Sequence, residues 1–203
     1  MELILDPKQK YSYADYLTWL DDKRRELFDG IVSLMSPAPV FEHADASSVI
    51  FGEIYQHLKK CKCGCKIFHA PFDVRLPKNE EREHKDIYTV VQPDICVICD
   101  LSKIDRRGCL GAPDMIVEIL STSTAKKDYN IKYNLYEKAG VKEYWIVSPE
   151  AKYVEIFLLQ EDGKYAEGII YEEKDSSDEI NLIPVKTLAG LEIDFNEIFN
   201  RNG

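Results

Sequence analysis

The stretch "GAPDMIVEILSTS", residues 111–123, carries a carboxylate where its pattern leaves little room for one. Its core, "MIVEIL", reads as a buried strand with Glu118 at the centre. A buried carboxylate lacking a cation or a donor costs several kcal/mol, so Glu118 must have something to hold. Side chains alternate across a strand, which puts Asp114, Ile116, Glu118 and Leu120 on one face. Asp114 stands four residues from Glu118, roughly 13 Å between Cα atoms, too far for the two to chelate one ion easily. A partner from a neighbouring strand is geometrically better. Asp94 in "VVQPDICVIC" also begins an apolar strand and follows a proline. Two carboxylates converging from adjacent strands make a hard oxygen site, suited to Mg²⁺ or Mn²⁺ rather than zinc.

A cation comes from the helix expected at about Ala125 to Ala139. Taking about 100° per residue, Ile131, Leu135 and Ala139 define its apolar stripe, with Asp128 inside the stripe and Lys132 at its edge. Both therefore face the sheet. A lysine leaning toward two carboxylates can polarise an attacking water or neutralise charge on a phosphorane-like transition state. Lys127, at the opposite edge, is a weaker candidate. Plainer readings exist: Asp128 and Lys132 are spaced as a helical ion pair, and Asp94 and Asp114 suit turn caps. Glu118 resists such a reading, because an ionised group at a buried strand centre needs a reason.

These residues need elements to position them. Ser12 is a plausible cap for a short helix, and Asp29-Gly30 between two apolar runs signals a hairpin. Val49, Ile50, Ile54 and Leu58 suit one face of a helix from Phe41 to about Lys60. "KIFHAPFDVRL" and "YTVVQPDICVIC" read as strands around a charged loop, "PKNEEREHKD". After the helix that stops at Gly140 come "VKEYWIVSP", "KYVEIFLLQ" and "KYAEGIIYEE" as strands, with a turn at Glu161-Asp162-Gly163. "DFNEIFN" suits a last helical turn. The order predicts one mixed sheet flanked by helices, an α/β or α+β architecture, in a single domain over residues 1–203.

Composition narrows the function. A formal charge of −10 argues against nonspecific coating of nucleic acid, though not against an enzyme with a local basic patch or a metal ion. Lys59, Lys60, Lys62 and Lys66 form one such cluster, which a solvated helix end explains at least as well. No run of about 18 apolar residues suggests a membrane span, and "MELILDPKQK" does not read as a secretory signal, so the cytoplasm is expected. Reduced thiols are then the default. Cys61, Cys63 and Cys65 in "CKCGCK" lack the usual paired spacing of a zinc site; together with Cys109 they remain a minor candidate for one. Cys96 and Cys99 should point to opposite faces of their strand.

"RELFDGIVSLMSPAP", then His43, "QPDICVI", "GAPDMIVEILSTST" and "KYNLYEKAGVKEYWIV" resemble, in that order, the Uma family of predicted endonucleases. That family is assigned to the restriction-endonuclease-like fold of the PD-(D/E)XK nuclease superfamily. The likeness covers about residues 10 to 160 and is most specific from Gly111 to Val147. It implies a curved mixed sheet flanked by helices, with Asp94 as the metal-binding aspartate and Glu118 as the second acid. The superfamily pattern wants lysine two residues after that acid, where this chain has Leu120; the family displaces the lysine to the next helix, which implies Lys132. Glu26 and His43 match further family positions, although as residues they read equally well as a strand-edge charge and a residue near a helix start.

The expected function is Mg²⁺- or Mn²⁺-dependent hydrolysis of phosphodiesters, with DNA as substrate by resemblance alone. Binding through a restricted basic groove should be strongly salt-dependent, and paired strand cleavage would favour a homodimer. The rivals are a binding or scaffold protein that keeps the fold without turnover, and a hydrolase of another phosphate ester. The missing lysine at position 120 favours the scaffold.

Overall fold

The computed structural model describes residues 3–35, 40–79, 82–121, 125–173 and 181–199. Parts of five of the stretches considered above, at 1–2, 36–39, 80–81, 122–124 and residue 200, lie outside the described residues.

The first helix, α1 (Tyr13–Tyr16), starts at Ser12 in a reciprocal capping box: Asp15 N–H donates to the Ser12 hydroxyl, and Ser12 N–H donates to Asp15 Oδ2 at 2.8 Å. The hairpin of β1 (Arg25–Phe28) and β2 (Ile31–Leu34) turns at Asp29 and Gly30, both at positive φ, as the dipeptide predicts. Helix α2 (Phe41–Cys61) buries the expected stripe, Val49, Ile50, Ile54 and Leu58, together with Ala46.

The two long strand runs both break. "KIFHAPFDVRL" becomes β3 (Lys66–His69) and β4 (Val74–Arg75), separated around Pro71. "YTVVQPDICVIC" becomes β5 (Val90–Val91) and β6 (Ile95–Ile98), with Pro93 between them unable to donate to a ladder. At each break the chain changes sheets. Three short or medium strands follow: β7 (Ile104–Asp105), β8 (Gly108–Leu110) and β9 (Met115–Ile119). The helical stretch consists of α3 (Ala125–Lys127), a π-helical turn (Asp128–Lys132) and α4 (Tyr133–Ala139), ending at Gly140 with positive φ. Then come β10 (Glu143–Ser148), β11 (Tyr153–Leu158), β12 (Ile169–Glu172), β13 (Leu182–Pro184), β14 (Glu192–Asp194) and α5 (Phe195–Phe199).

The fold is mixed α/β, but the expected single sheet is two. One runs β2-β1-β5-β4-β8-β7 and the other β12-β11-β10-β9-β6-β3, with β13-β14 as a separate hairpin. The second sheet is the centre of the molecule. Its odd-numbered side chains, Ile95, Val97, Met115, Val117, Trp145 and Val147, pack with α2, α5 and the β13-β14 hairpin. Its even-numbered ones, Cys96, Ile98, Ile116, Tyr144 and Ile146, pack with Tyr136 of α4 and with Val74, Val91 and Cys109 of the first sheet. Asp114, on that even face, is a structural tie: it accepts from Cys99 N–H at 2.7 Å and pairs with Lys142 at 2.7 Å. No helix among the described residues is long and apolar enough to cross a membrane.

The cysteines depart from expectation. Cys61 pairs with Cys63 and Cys65 with Cys99 as disulfides, whereas reduced thiols were the default. The reason is register: β3 and β6 run antiparallel with Lys66 opposite Ile98, so Cys65 falls opposite Cys99. Cys109 is buried apart from them, on the other side of the sheet, and cannot complete their cluster. Cys96 and Cys99 do face opposite sides.

Candidate active site

The site forms where the chain crosses from the first sheet to the second. The β6-β9 ladder ends at the pair Ile95–Val117; Asp94 comes just before it on one strand and Glu118 just after it on the other, close enough for the Asp94 charge to act on Glu118. Asp94 Oδ2 accepts from Ile119 N–H at 2.8 Å and lies 3.4 Å from Nε2 of His43, at the start of α2. Among the described residues, His43 Nδ1 has no hydrogen-bond partner. Burial alone would lower the His43 pKa, yet the Asp94 carboxylate beside it lifts the imidazole above its ordinary value.

Glu118 is almost fully buried, and among the described residues two contacts fall on its Oε1. Tyr136 O–H donates to that oxygen at 2.6 Å, and Lys132 Nζ lies 2.8 Å from it. Lys132 also lies 3.3 Å from Asp128 Oδ1 and 3.4 Å from Glu26 Oε1. Glu26, buried on β1, receives Gln92 N–H at 3.3 Å and Lys127 Nζ at 3.3 Å. The five expected site residues thus fall in two neighbouring groups, Asp94 with His43 and Glu118 with Lys132 and Glu26, which are in electrostatic reach of each other. Lys127, the weaker candidate, joins the second group through Glu26.

The helix that carries Lys132 differs from its expected register. Ile131 is 51% exposed, while Asp128, Lys132 and Tyr136 form the buried face. Tyr133 N–H reaches back five residues to the Asp128 carbonyl, and Tyr144 O–H donates to the same oxygen at 3.2 Å. That wide turn rotates the helix, taking Ile131 out of the core and Lys132 from the stripe's edge into it.

Charge explains the electrostatics. Burial raises the Glu118 pKa well above the usual carboxylate range; Lys132 opposes the rise, and Asp128, Asp94 and Glu26 reinforce it. Burial would lower the Lys132 pKa, but Glu118, Glu26 and Asp128 more than compensate, so the ammonium stays charged. Glu118, Glu26 and Asp128 gather around Lys132 and Lys127, with Asp94 nearby beside His43, so the site is rich in oxygen ligands.

Residues 13–195 match the Uma2 family, described as putative restriction endonuclease. The chain belongs to the Uma2 family. The uncharacterised protein slr1290 of Synechocystis is 25% identical over 162 residues, covering 78% of this chain and 80% of that protein. The crystal structure of a putative nuclease belonging to DUF820, from Anabaena variabilis, superposes with a TM-score of 0.70. It covers 93% of this chain and 97% of that one at 18% identity, so the likeness is one of fold.

Restriction-endonuclease-like proteins generally use divalent metals, and the Uma2 site can be tested for fit. Among the described residues, no three His, Cys, Asp or Glu side chains stand ready as a metal cage. Mg²⁺ does not need one: it commonly takes one or two carboxylates and keeps its waters. Asp94 and Glu118 would supply such a hard oxygen pair, with Glu26 and Asp128 close to Glu118, so the residue types fit.

Two members of the cluster escaped the sequence reading. Tyr136 lies four residues after Lys132, a spacing that placed it beside the lysine, but tyrosine in a helix reads as core. Gln92 immediately precedes Pro93; its backbone contact to Glu26 leaves no mark in residue type. Its side chain accepts from Arg24 at 3.0 and 2.9 Å and donates to Asp73 at 2.9 Å, fixing the sheet crossing.

Proposed function

We propose that the protein is a metal-dependent endonuclease that hydrolyses phosphodiester bonds in DNA. The reading rests on one observation: Asp94 and Glu118 flank the Ile95–Val117 pair that ends the β6-β9 ladder, while Lys132 and Tyr136 hold Glu118 from one side. Asp94 and Glu118 would hold Mg²⁺ or Mn²⁺. When bound, the ion lowers the pKa of water and neutralises charge on the phosphodiester. Glu26 and Asp128 keep Lys132 charged and aimed at Glu118, so that its ammonium offsets negative charge as the phosphorus centre is attacked. Tyr136 fixes the carboxylate by its hydrogen bond, and the first contact of His43 is to Asp94, which it helps orient. Double-strand cleavage from a single site of this kind would call for two copies of the chain.

The test is a panel of plasmid, single-stranded DNA, RNA and a small phosphodiester, with Mg²⁺ or Mn²⁺, for the wild type and Glu118→Gln. Plasmid cleavage should fall by more than about 100-fold in the variant, beyond what loss of a supporting residue costs. Cleavage confined to the small compound would rule out nuclease function. One feature favours a second reading, a scaffold without turnover: Lys132 already has three carboxylates within 3.4 Å and forms a closed network without any ion. In that case no substrate is cut, and Mn²⁺ affinity is the same in both proteins.

A further inference from the structure

Four of the six cysteines meet at the far end of the second sheet from the acidic cluster. Cys99 follows β6 five residues after Asp94, which at about 3.3 Å per residue is some 16 Å away. Cys61 closes α2, Lys62 turns the chain in the left-handed region, and Cys63 and Cys65 flank Gly64 on the way into β3. The Cα atoms of Cys63 and Cys65 therefore lie within about 7 Å of each other. Cys65 touches Cys99 across the β3-β6 pair, and Cys61 touches Cys63. Cys63, Cys65 and Cys99 rest half-buried against one apolar cluster, while Cys61 is exposed, so the group is both held and reachable.

We propose that, once reduced, Cys61, Cys63, Cys65 and Cys99 bind one soft tetrahedral cation, Zn²⁺, and that the two disulfides are the oxidised, metal-free state of this site. Thiolates are the ligands such an ion selects, and four of them with tetrahedral freedom make a closed structural site. Two surroundings favour the thiolate form. Cys63 N–H points at Cys61 Sγ, 3.2 Å away. The exposed Lys59, Lys60, Lys62 and Lys66 flank the cysteines and offset the double negative charge of a tetrathiolate zinc centre. While the sulfurs are paired they are not ligands. A dithiol reductant supplies four electrons and four protons to the two disulfides, giving four thiols; Zn²⁺ then displaces those four protons as the four sulfur–metal bonds form. Bound metal would tie the end of α2 to the β3-β6 edge, independently of the acidic site.

The test is titration of the anaerobically reduced full chain with Co²⁺ alone, followed by displacement with Zn²⁺. About one Co²⁺ per chain should bind with the intense visible absorption of a tetrahedral thiolate site, and Zn²⁺ should abolish it. The absorption should be lost in Cys65→Ser and in Cys99→Ser, and persist in Cys109→Ser and in Glu118→Gln. A wild-type chain with its thiols titratable but no such absorption overturns the proposal, whatever the variants do. So does absorption that survives the double Cys65→Ser, Cys99→Ser change.

Discussion

At the scale of residues, Lys132 is the cation on which the buried acids depend. Its ammonium lies within 3.4 Å of Glu118, Asp128 and Glu26. Lys132→Met keeps the length of the side chain and strands those carboxylates without their main countercharge. Removing one partner of a buried ion network costs about 3–5 kcal/mol, and urea denaturation of Lys132→Met should show a loss of that size. A loss below about 1 kcal/mol, the range of exposed pairs, would mean that the network is open to water. Much of this cluster was legible. Glu118 stood out because a charge interrupts an apolar strand, and Asp94 followed from strand geometry. Glu26 and His43 came only from the resemblance, because neither breaks a local pattern. Tyr136 and Gln92 were invisible for a related reason: they act through a phenol and a backbone N–H, which are ordinary components of a core and of a strand end.

At the scale of elements, periodicity found the helices but not the π turn inside one of them. An ideal 100° step puts Ile131 in the core; the five-residue turn at Asp128–Lys132 puts it in solvent. Ile131→Lys should therefore change stability by no more than about 0.5 kcal/mol, as at other surface positions, whereas the regular helix would predict a core-sized loss. Strand limits were missed where Pro71 and Pro93 interrupt runs of suitable residues, since apolar content alone does not reveal a change of sheet. Asp114 illustrates an element tie whose strength depends on pH. Burial would raise its pKa, but Lys142 and Cys99 N–H hold it below its ordinary 3.8. A depressed carboxyl stabilises the folded state above its unfolded value and loses that contribution as pH falls through the folded one. Asp114→Asn should cost about 2 kcal/mol near neutrality, typical of a hydrogen bond to a charged group. That difference should shrink steadily below about pH 4; a gap unchanged down to pH 2 would assign the effect to packing instead.

At the scale of the whole molecule, function depends on the two sheets meeting. Glu26 comes from the first sheet, Glu118 from the second, and Gln92, Pro93 and Asp94 form the crossing between them. The mixed α/β class was legible from the order of elements. The division into two six-stranded sheets was not, because strands as short as β4 and β5, two residues each, carry no periodicity of their own. The same crossing brings these acids to one place, and the account stands or falls on whether that place takes an ion. The decisive measurement is the anomalous difference map of a crystal soaked in Mn²⁺. The account predicts a peak within coordination distance of carboxylate oxygens from both Asp94 and Glu118, lost in Glu118→Gln. A map with no peak there at saturating Mn²⁺, and Lys132 still seated against Glu118, would contradict it.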